Sequence, residues 1–300
     1  RSCAPFCCGG WAAGAAALAP SGTPLPRRVH ATLPAPRRPD GRLLFVGDVH
    51  GCAQELRALL DVVGFSQGVD TLVLVGDLVN KGPASGEVVR LARQLGAWAV
   101  RGNHDDELLE AWYRVGRYAA GLGSYRHDAL QQVGAEDILW LRELPLSLSV
   151  PRLSALVVHA GLVPGVPLER QRFRDLLWMR DLAREGQGWR GLEKPRPGDA
   201  DGAAGGGSVP WAGAWEGPEH VVFGHDASRS LQLHAAATGL DTGCCYGGAL
   251  TGLLVPAAGW AARRLVAVPA AREYCKPTGE QRPLPQSHLN APAWFAPEAP

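Results

Sequence analysis

Five short apolar runs in this chain each end near a residue that can bind a metal ion. Runs of this length that are rich in Val, Leu and Phe are typical of buried strands. In α/β folds the loops after the carboxyl ends of strands meet at one crevice. Glycines adjoin nearly all of these positions and let the chain turn sharply. The runs and their ligand-type residues are Leu43–Val46 with Asp48 and His50, Thr71–Val75 with Asp77, Trp98–Val100 with Asn103 and His104, Leu156–Val158 with His159, and Val221–Phe223 with His225. This repetition predicts one site assembled from five strand ends.

The segment from Leu43 to Asp106 alternates between strand, loop and helix patterns. Residues 53–63 and 87–95 each place apolar side chains on one helical face. Asp77 lies 29 residues after Asp48 and 26 residues before Asn103, and each spacing fits one parallel crossover unit. The pattern therefore predicts an α/β fold with a parallel sheet at its start.

Weaker patterns in the rest of the chain predict further helices and strands. Helices are expected at 105–118 and 136–144, and strands at 146–150 and 155–158. Four later apolar runs suggest a second sheet that completes the core: Val221–Phe223, Leu231–Leu233, Leu250–Val255 and Arg263–Val268.

Composition divides the chain into a leader, one domain and a tail. Residues 1–40 contain five arginines and no acidic residue before Asp40, which resembles an organelle transit peptide, with a disordered leader as the alternative. Because the chain begins with Arg1, we expect further residues upstream. Residues 41–270 form the domain, with a flexible insertion at 186–210 that holds eight Gly and three Pro. Residues 271–300 read as a disordered Pro-rich tail.

Charge and cysteine usage exclude several classes of protein. Three hundred residues with 46% hydrophobic content can bury a full core. The net charge of +1 gives no strong field for nucleic acid or for a membrane surface, and no run approaches the ~20 apolar residues of a membrane span. Seven cysteines without a Cys-x-x-Cys pair favour a reduced, intracellular protein. The cytoplasm is the default compartment, and a plastid or mitochondrion follows if the leader is a transit peptide.

The ligand-type residues form a consistent set of metal donors. Carboxylates, imidazoles and one amide oxygen suit manganese, iron or zinc better than they suit a soft thiolate-binding metal. Two metal ions held about 3.5–4 Å apart need a bridging carboxylate, and Asp77 is central in the chain order. Two divalent ions are therefore expected, with Asp77 between them.

The ordered motifs resemble those of a known superfamily. Gly-Asp-x-His, Gly-Asp, Gly-Asn-His, His-Ala-Gly and Gly-His, spread over residues 43–268, are similar to the motifs of the calcineurin-like metallophosphoesterases. Within that superfamily, Gly47–Cys52, Gly76–Pro83 and Leu240–Gly248 are most similar to the ApaH-like phosphatases, relatives of bacterial symmetrical dinucleoside tetraphosphatase. The resemblance implies a four-layer αββα sandwich, in which two facing mixed β-sheets are flanked by helices.

The resemblance also implies roles for individual residues. One metal ion would be held by Asp48, His50 and Asp77. The other would be held by Asp77, Asn103, His159 and His225. A hydroxide that bridges the ions would attack phosphorus in line, and His104 would protonate the departing oxygen. Lys81, Asn103 and Arg180 are the candidates for binding the substrate phosphate.

Some positions depart from the pattern of the related phosphoprotein phosphatases. Lys81 stands where those enzymes carry an arginine, and it offers a point charge in place of a two-pronged fork. Asn80 stands where they carry the aspartate that pairs with the catalytic histidine, so Asp105 or Asp106 could take over that contact. Arg101 is expected to lie behind the ligands. Asp241 is expected either to brace a ligand histidine or to close a turn.

These features predict a phosphohydrolase that acts on phosphoanhydride bonds. Its substrate would be a phosphorylated small molecule or nucleotide, with dinucleoside polyphosphates, inorganic polyphosphate and capped RNA ends as the candidates. A serine/threonine or tyrosine phosphoprotein phosphatase is the alternative. A non-catalytic binding module is a remote third reading, because such modules usually lose ligands. The sequence leaves the oligomeric state open.

Overall fold

Two β-sheets that lie face to face form the centre of the structure. The computed structural model describes residues 17–36, 38–115, 124–193 and 207–277. In those residues the strands are β1 (His30–Thr32), β2 (Leu43–Val46), β3 (Thr71–Leu74), β4 (Trp98–Ala99), β5 (Ser147–Val150), β6 (Ala155–Val158), β7 (Asp181–Glu185), β8 (Gly188–Leu192), β9 (Val209–Pro210), β10 (His220–Phe223), β11 (Gln232–Leu233), β12 (Ala237–Gly239), β13 (Ala249–Val255) and β14 (Arg264–Pro269). The α-helices there are α1 (Ala53–Val62), α2 (Ser85–Leu95), α3 (Asn103–Val115), α4 (Ser124–Gln132), α5 (Ala135–Arg142), α6 (Phe173–Trp178) and α7 (Trp211–Ala214).

The first sheet has the strand order β14-β13-β2-β3-β4. Strands β2, β3 and β4 run parallel, with α1 and α2 as the crossover helices, which agrees with the expected rhythm. Strands β13 and β14 pair antiparallel at the other side of β2. The expectation that 250–255 and 263–268 belong to the second sheet was therefore wrong. Apolar alternation shows that a strand is buried, but it does not specify the neighbour to which that strand hydrogen-bonds.

The second sheet has the order β1-β5-β6-β10-β12-β11 and faces the first sheet across a shared apolar layer. Alternate residues of β2 show this arrangement: Phe45 packs into the layer between the sheets, whereas Leu44 packs under the helices. In the second sheet Val157 faces the same inner layer, and Val158 packs outward. Helices α1 to α5 cover one outer face, and α6 and α7 cover part of the other. This is the four-layer α/β sandwich that the motifs implied.

Part of the expected leader is folded. Strand β1 pairs in parallel with β5, with His30 opposite Ser147, and Leu25 and Leu33 are buried. The expectation of disorder up to residue 40 was wrong for these residues, because they complete an edge of the second sheet. Residues 1–16 and 37 lie outside the described residues, and the transit-peptide reading stays a prediction.

The expected flexible insertion at 186–210 contains a β-hairpin. Strand β8 pairs antiparallel with β7, and β9 pairs with β7 on its other side. Gly186 has a φ of 60° in the turn, and the Arg184 guanidinium lies 3.7 Å from the centre of the Trp189 ring across the hairpin. Polar and aromatic contacts hold the small sheet of β7, β8 and β9 together. Its sequence therefore lacks the apolar periodicity from which strands are predicted. Residues 194–206 lie outside the described residues.

The start of the expected disordered tail is also held in place. The Glu55 Oε1 atom accepts hydrogen bonds from the Ala271 backbone N–H (2.9 Å) and from the Tyr274 hydroxyl (2.7 Å). The Tyr274 N–H donates to the Cys245 carbonyl. Residues 271–277 are thus fixed against α1, and residues 278–300 lie outside the described residues. None of the described helices combines the length and the apolar character needed to cross a bilayer.

Candidate metal centre

The ends of five strands bring the predicted ligands together between the two sheets. Asp48, His50 and Asp77 follow β2 and β3, and Asn103 begins α3 after β4. His159 and His225 follow β6 and β10 of the facing sheet. All six side chains are buried, with exposures of 7% or less. Residues up to 177 positions apart in sequence therefore share one buried centre.

Asp77 occupies the middle of this centre. Its Oδ2 atom lies 3.4 Å from His50 Nε2, and its Oδ1 atom lies 3.4 Å from His159 Nε2. The Asp48 Oδ2 atom lies 3.9 Å from the same His50 nitrogen. The two oxygens of one carboxylate thus face two different sets of donors, which is the arrangement that a bridging ligand requires.

The second set of donors surrounds Asn103. Its Oδ1 atom lies 3.0 Å from His159 Nε2 and 2.9 Å from His225 Nδ1. The His225 backbone N–H donates to both oxygens of Asp48, at 3.0 and 3.1 Å, which connects this set to the first one. The structure therefore gathers the two sets that the resemblance implied.

Backbone carbonyls determine which nitrogen of each histidine faces the centre. The Val79 carbonyl lies 3.0 Å from His50 Nδ1, and the Val75 carbonyl lies 3.0 Å from His159 Nδ1. A carbonyl only accepts, so these Nδ1 atoms carry the hydrogens and the Nε2 lone pairs stay available. In His225 the roles are exchanged, because Nε2 lies 3.1 Å from the Trp178 carbonyl.

Burial controls the charges at the centre. Burial lowers the pKa of His159 to about 4 and lowers the pKa values of His50 and His225 well below their ordinary value. Burial also raises the pKa of Asp77 to about 7 and raises that of Asp48 well above its usual range. At neutral pH the imidazoles are neutral, the form that binds metal, and the ionised carboxylates of Asp48 and Asp77 need more positive charge than the nearby Lys81 ammonium supplies. Divalent cations would supply that charge, so the donor set fits them.

The backbone at the centre is unusually constrained. Seven non-glycine residues of the described chain have positive φ, a conformation that such residues rarely adopt. Five of the seven belong to this site: His50 (45°), Asp77 (51°), Asn80 (69°), Lys81 (66°) and His225 (70°). Such concentration of unfavourable backbone geometry is typical of functional sites, where surrounding structure holds it in place.

Two glycines leave the space that the carboxylates occupy. A Cβ atom on Gly102 would lie 2.2 Å from Asp77 Oδ1, and a Cβ on Gly224 would lie 2.0 Å from Asp48 Oδ1. Real Cβ atoms do not approach oxygens so closely, so any side chain at these positions would displace a predicted ligand.

The Gly224→Ala variant is expected to lose metal. The added methyl group pushes Asp48 out of the centre, and a displacement of about 1 Å can lower catalytic rates by about 10²-fold. This prediction is tested by measuring the number of metal ions bound per chain and the rate of hydrolysis in the variant. Gly188→Ala is the matched control, because its Cβ would meet only the Glu185 carbonyl at 3.8 Å. Full metal content in the Gly224→Ala variant would contradict the proposed position of Asp48 as a ligand.

His104 and Lys81 lie at the edge of the centre. The His104 ring stands edge-on to the His50 ring, with 4.9 Å between the ring centres, and its backbone N–H donates to Asp77 Oδ1 at 2.8 Å. Lys81 Nζ lies 2.9 Å from His50 Nε2 and 5.2 Å from the centre of the Tyr246 ring. Both side chains are thus within reach of a phosphate at the centre. The contact with Tyr246 had no signal in the sequence.

The two arginines singled out in the sequence lie in different surroundings. The Arg180 guanidinium donates to the His225 carbonyl at 3.1 Å, so it lies beside the centre, and its contact with phosphate stays a prediction. Arg101 is fully buried, pairs with Asp106 at 3.1 Å, and donates to the Pro24 and Arg142 carbonyls. Arg101 therefore braces α3 against the leader and the end of α5.

Asp241 and Asn80, which were expected to support the ligands, make contacts that the sequence did not predict. Asp241 closes a turn, since its Oδ1 accepts from the Gly243 N–H at 3.0 Å, and its negative charge adds to burial in raising the pKa of Asp48. The Asn80 side-chain amide donates to the His104 carbonyl at 3.1 Å. Its nitrogen is 3.5 Å from His104 Nδ1.

Neither Asp105 nor Asp106 takes over the contact with His104. The Asp105 carboxylate accepts from the Leu78 and Gly102 N–H groups, at 3.0 and 2.9 Å. The Asp106 carboxylate accepts from Thr23 and Arg101. That expectation was wrong, because these two side chains leave α3 in other directions. The carboxylate beside His104 belongs to Glu107, at 3.2 Å, which the sequence reading overlooked.

Comparison with known proteins agrees with this geometry. The family model for calcineurin-like phosphoesterases matches residues 41–229, and the chain belongs to that family. Enzymes of this metallophosphoesterase family depend on two metal ions, and the residues at the centre include two groups with metal-binding spacing, His50-Asp77-His104 and Asp77-His159-His225.

Relatives named symmetrical bis(5'-nucleosyl)-tetraphosphatase carry the comparison further. The protein of Coxiella burnetii is 34% identical over 258 residues, which cover 69% of this chain and 86% of that protein. The protein of Aromatoleum aromaticum is 47% identical over 134 residues, which cover 42% of this chain and only 46% of that protein. A crystal structure of a protein provisionally identified as a diadenosine tetraphosphatase matches with a TM-score of 0.68 and 40% identity, over 81% of this chain and 98% of the other. These matches confirm the superfamily and the fold expected from the motifs.

Proposed function

We propose that this chain hydrolyses the phosphoanhydride bonds of dinucleoside polyphosphates, with symmetrical dinucleoside tetraphosphates as the preferred class. The observation that carries the proposal is the position of Asp77, whose two oxygens face His50 on one side and His159 on the other. The names and the extensive coverage of the relatives support the substrate class. Inorganic polyphosphate, capped RNA and phosphoproteins are the competing substrates.

The roles of the residues follow from their places at the centre. Asp48, His50 and Asp77 would hold one ion, and Asp77, Asn103, His159 and His225 would hold the other. Bound divalent ions lower the pKa of water and offset negative charge on phosphoryl oxygens. Lys81 and Arg180, one on each side of the centre, would bind the remaining phosphate oxygens through their positive charge. His104 would hold a proton for the oxygen that leaves phosphorus.

A substrate panel tests the proposal. Protein loaded with manganese or zinc is incubated with diadenosine tetraphosphate, long-chain polyphosphate, capped RNA and a phosphopeptide, and the products are separated by chromatography. Addition of one water to the central anhydride bond of diadenosine tetraphosphate should give two ADP. Equal amounts of ATP and AMP would contradict symmetrical cleavage. Faster turnover of the phosphopeptide would instead favour a phosphoprotein phosphatase. A chain that binds less than one equivalent of metal would favour a non-catalytic module.

A further inference from the structure

Another group of metal-type donors lies outside the candidate metal centre. It consists of the Cys52 and Cys244 thiols and the Glu55 carboxylate, whose donor atoms all lie within 4.8 Å of one another. Both cysteines are free, and all three side chains are buried, with exposures of 2% or less. Cys52 precedes α1, Glu55 is in the first turn of that helix, and Cys244 lies between β12 and β13. The fold therefore gathers these donors from two distant segments of the chain.

The Glu55 carboxylate has a partner for only one of its oxygens. Its Oε1 atom accepts from the Ala271 N–H and from the Tyr274 hydroxyl, which fixes the carboxylate in place. Its Oε2 atom is buried and has no hydrogen-bond partner among the described residues. Buried polar atoms are almost always hydrogen-bonded, because the loss of their contact with water is costly. A bound cation would supply the partner that Oε2 lacks.

Packing alone accounts for the two cysteines but not for the carboxylate. A buried cysteine often serves as a small apolar residue, and Cys52 and Cys244 belong to the apolar cluster that packs on α1. A carboxylate in the same cluster needs a hydrogen-bond donor or a cation for each of its oxygens. The unpartnered Glu55 oxygen and the two sulfurs beside it are therefore explained together by a metal ion.

The donors favour a soft or borderline divalent ion such as zinc. Thiolates select ions of this class, whereas manganese is better suited to carboxylate oxygens and water. Zinc binds sulfur at about 2.3 Å and carboxylate oxygen at about 2.0–2.2 Å, so the donors of a tetrahedral site lie about 3.6–3.8 Å apart. The three donor atoms, all within 4.8 Å of one another, need only small side-chain rotations to reach that spacing.

We propose that Cys52, Cys244 and Glu55 form a third metal site, which binds a zinc-class ion through two thiolates and one carboxylate oxygen. The ion replaces the two thiol hydrogens, which leave as protons, and water completes the tetrahedron. It joins the loop after β2 to the loop before β13, and Glu55 extends this connection to residues 271–274. The proposal does not depend on the proposed function, because such an ion stabilises the fold whether or not the chain hydrolyses a dinucleotide.

Cobalt(II) is the probe for this site. It substitutes for zinc, and its bonds to thiolates give a charge-transfer absorption band in the near ultraviolet. The predicted ligands of the candidate metal centre include no thiol, so cobalt at that centre gives no such band. The full chain is reduced with a phosphine, freed of metal and titrated with cobalt. We expect the band in the wild type, and we expect its loss in Cys52→Ala and in Cys244→Ala.

Cys275→Ala is the matched control. Cys275 is half-buried and belongs to none of the donor groups found in the described part of the chain, so this variant should keep the wild-type band. Absence of the band from the wild type would overturn the proposal. A band of wild-type intensity in Cys52→Ala or Cys244→Ala would also overturn it, because other cysteines would then bind the cobalt.

Glu55→Gln tests the carboxylate while both thiols stay in place. We expect this variant to bind cobalt at least about 10-fold more weakly, since even groups that only orient a metal ligand change the affinity by about 10–100-fold. Glu87→Gln is its control, because Glu87 forms an exposed ion pair with Arg57. Equal cobalt affinity in the wild type and in Glu55→Gln would remove the carboxylate from the site and overturn the proposal.

Metal counts separate the third site from the candidate metal centre. Manganese reports the centre, because thiolates do not favour it, and Cys244→Ala should bind two equivalents of manganese, which also shows that the variant is folded. Zinc should reach three equivalents in the wild type and only two in Cys244→Ala. Equal zinc counts would overturn the third site. If the wild type shows the cobalt band but hydrolyses no dinucleotide, the proposed function fails and the third site stands.

Discussion

Replacement of Asp77 by Asn is expected to abolish metal binding at one position or both and to lower the hydrolytic rate by at least about 10³-fold, because metal ions supply several kcal/mol of transition-state stabilisation. Asn keeps the shape of the side chain but offers only one acceptor oxygen and no charge. It can face His50 or His159, but not both. Elemental analysis of the purified variant should find no more than one equivalent of metal per chain.

The same variant should keep its fold. Burial raises the pKa of Asp77 to about 7, so the ionised carboxylate is unfavourable in the metal-free protein at neutral pH. A neutral amide removes that cost, and the thermal unfolding midpoint of the metal-free variant should not fall below that of the wild type. Asp61→Asn, an exposed position on α1, is the control. Two equivalents of metal in the Asp77→Asn variant would disprove the bridging position.

The positions of the proposed ligands could be predicted from the sequence because each of them follows a strand end. Once the runs before Asp48, Asp77 and His159 are recognised as strands, chain geometry places the next residues at one edge of a sheet. Local signals of this kind are strong, since an apolar run precedes every position and glycine adjoins nearly all of them. The crossover spacing between Asp48 and Asp77 likewise predicted the parallel part of the first sheet.

Other features depend on contacts that no local pattern encodes. The pairing of β13 with β2 joins residues about 200 positions apart, and only the complete fold selects that neighbour. Strand β1 is a short edge strand with mixed burial, so its residues read as a leader. Cross-strand contacts such as that of Arg184 with Trp189 stabilise the hairpin of β7 and β8. Such contacts produce no apolar periodicity in the sequence.

The case of Glu107 shows a different limit of sequence reasoning. The pattern of the phosphoprotein phosphatases indicates the position of Asn80 and the carboxylates nearest His104 in sequence. On a helix, however, adjacent residues diverge by about 100° and the neighbour in space is three or four positions away. On α3 that rule places Glu107, three positions after His104, beside the His104 side chain. The proposed site thus combines metal ligands placed by strand ends with a proton donor, His104, placed by a helix.

The His104→Asn variant is expected to retain two equivalents of metal and to lose about 10²–10⁴-fold in kcat, the usual contribution of a general acid. The His104 ring lies at the edge of the centre. The backbone N–H of residue 104, which donates to Asp77, is unchanged by the substitution. Asn cannot deliver a proton in the same way, so turnover should fall while metal content and KM stay close to those of the wild type. His30→Asn is the control, because His30 contacts Ser147 at the edge of the second sheet.

The size of that loss should depend on the leaving group. An ester of an acidic phenol, such as p-nitrophenyl phosphate, needs little protonation as its bond to phosphorus breaks, whereas phenyl phosphate needs more. If His104 is the acid, the rate ratio of wild type to His104→Asn should be at least about tenfold larger for phenyl phosphate, in line with the Brønsted behaviour of proton transfer. Equal ratios for the two esters would assign His104 to substrate orientation and remove it as the proton donor.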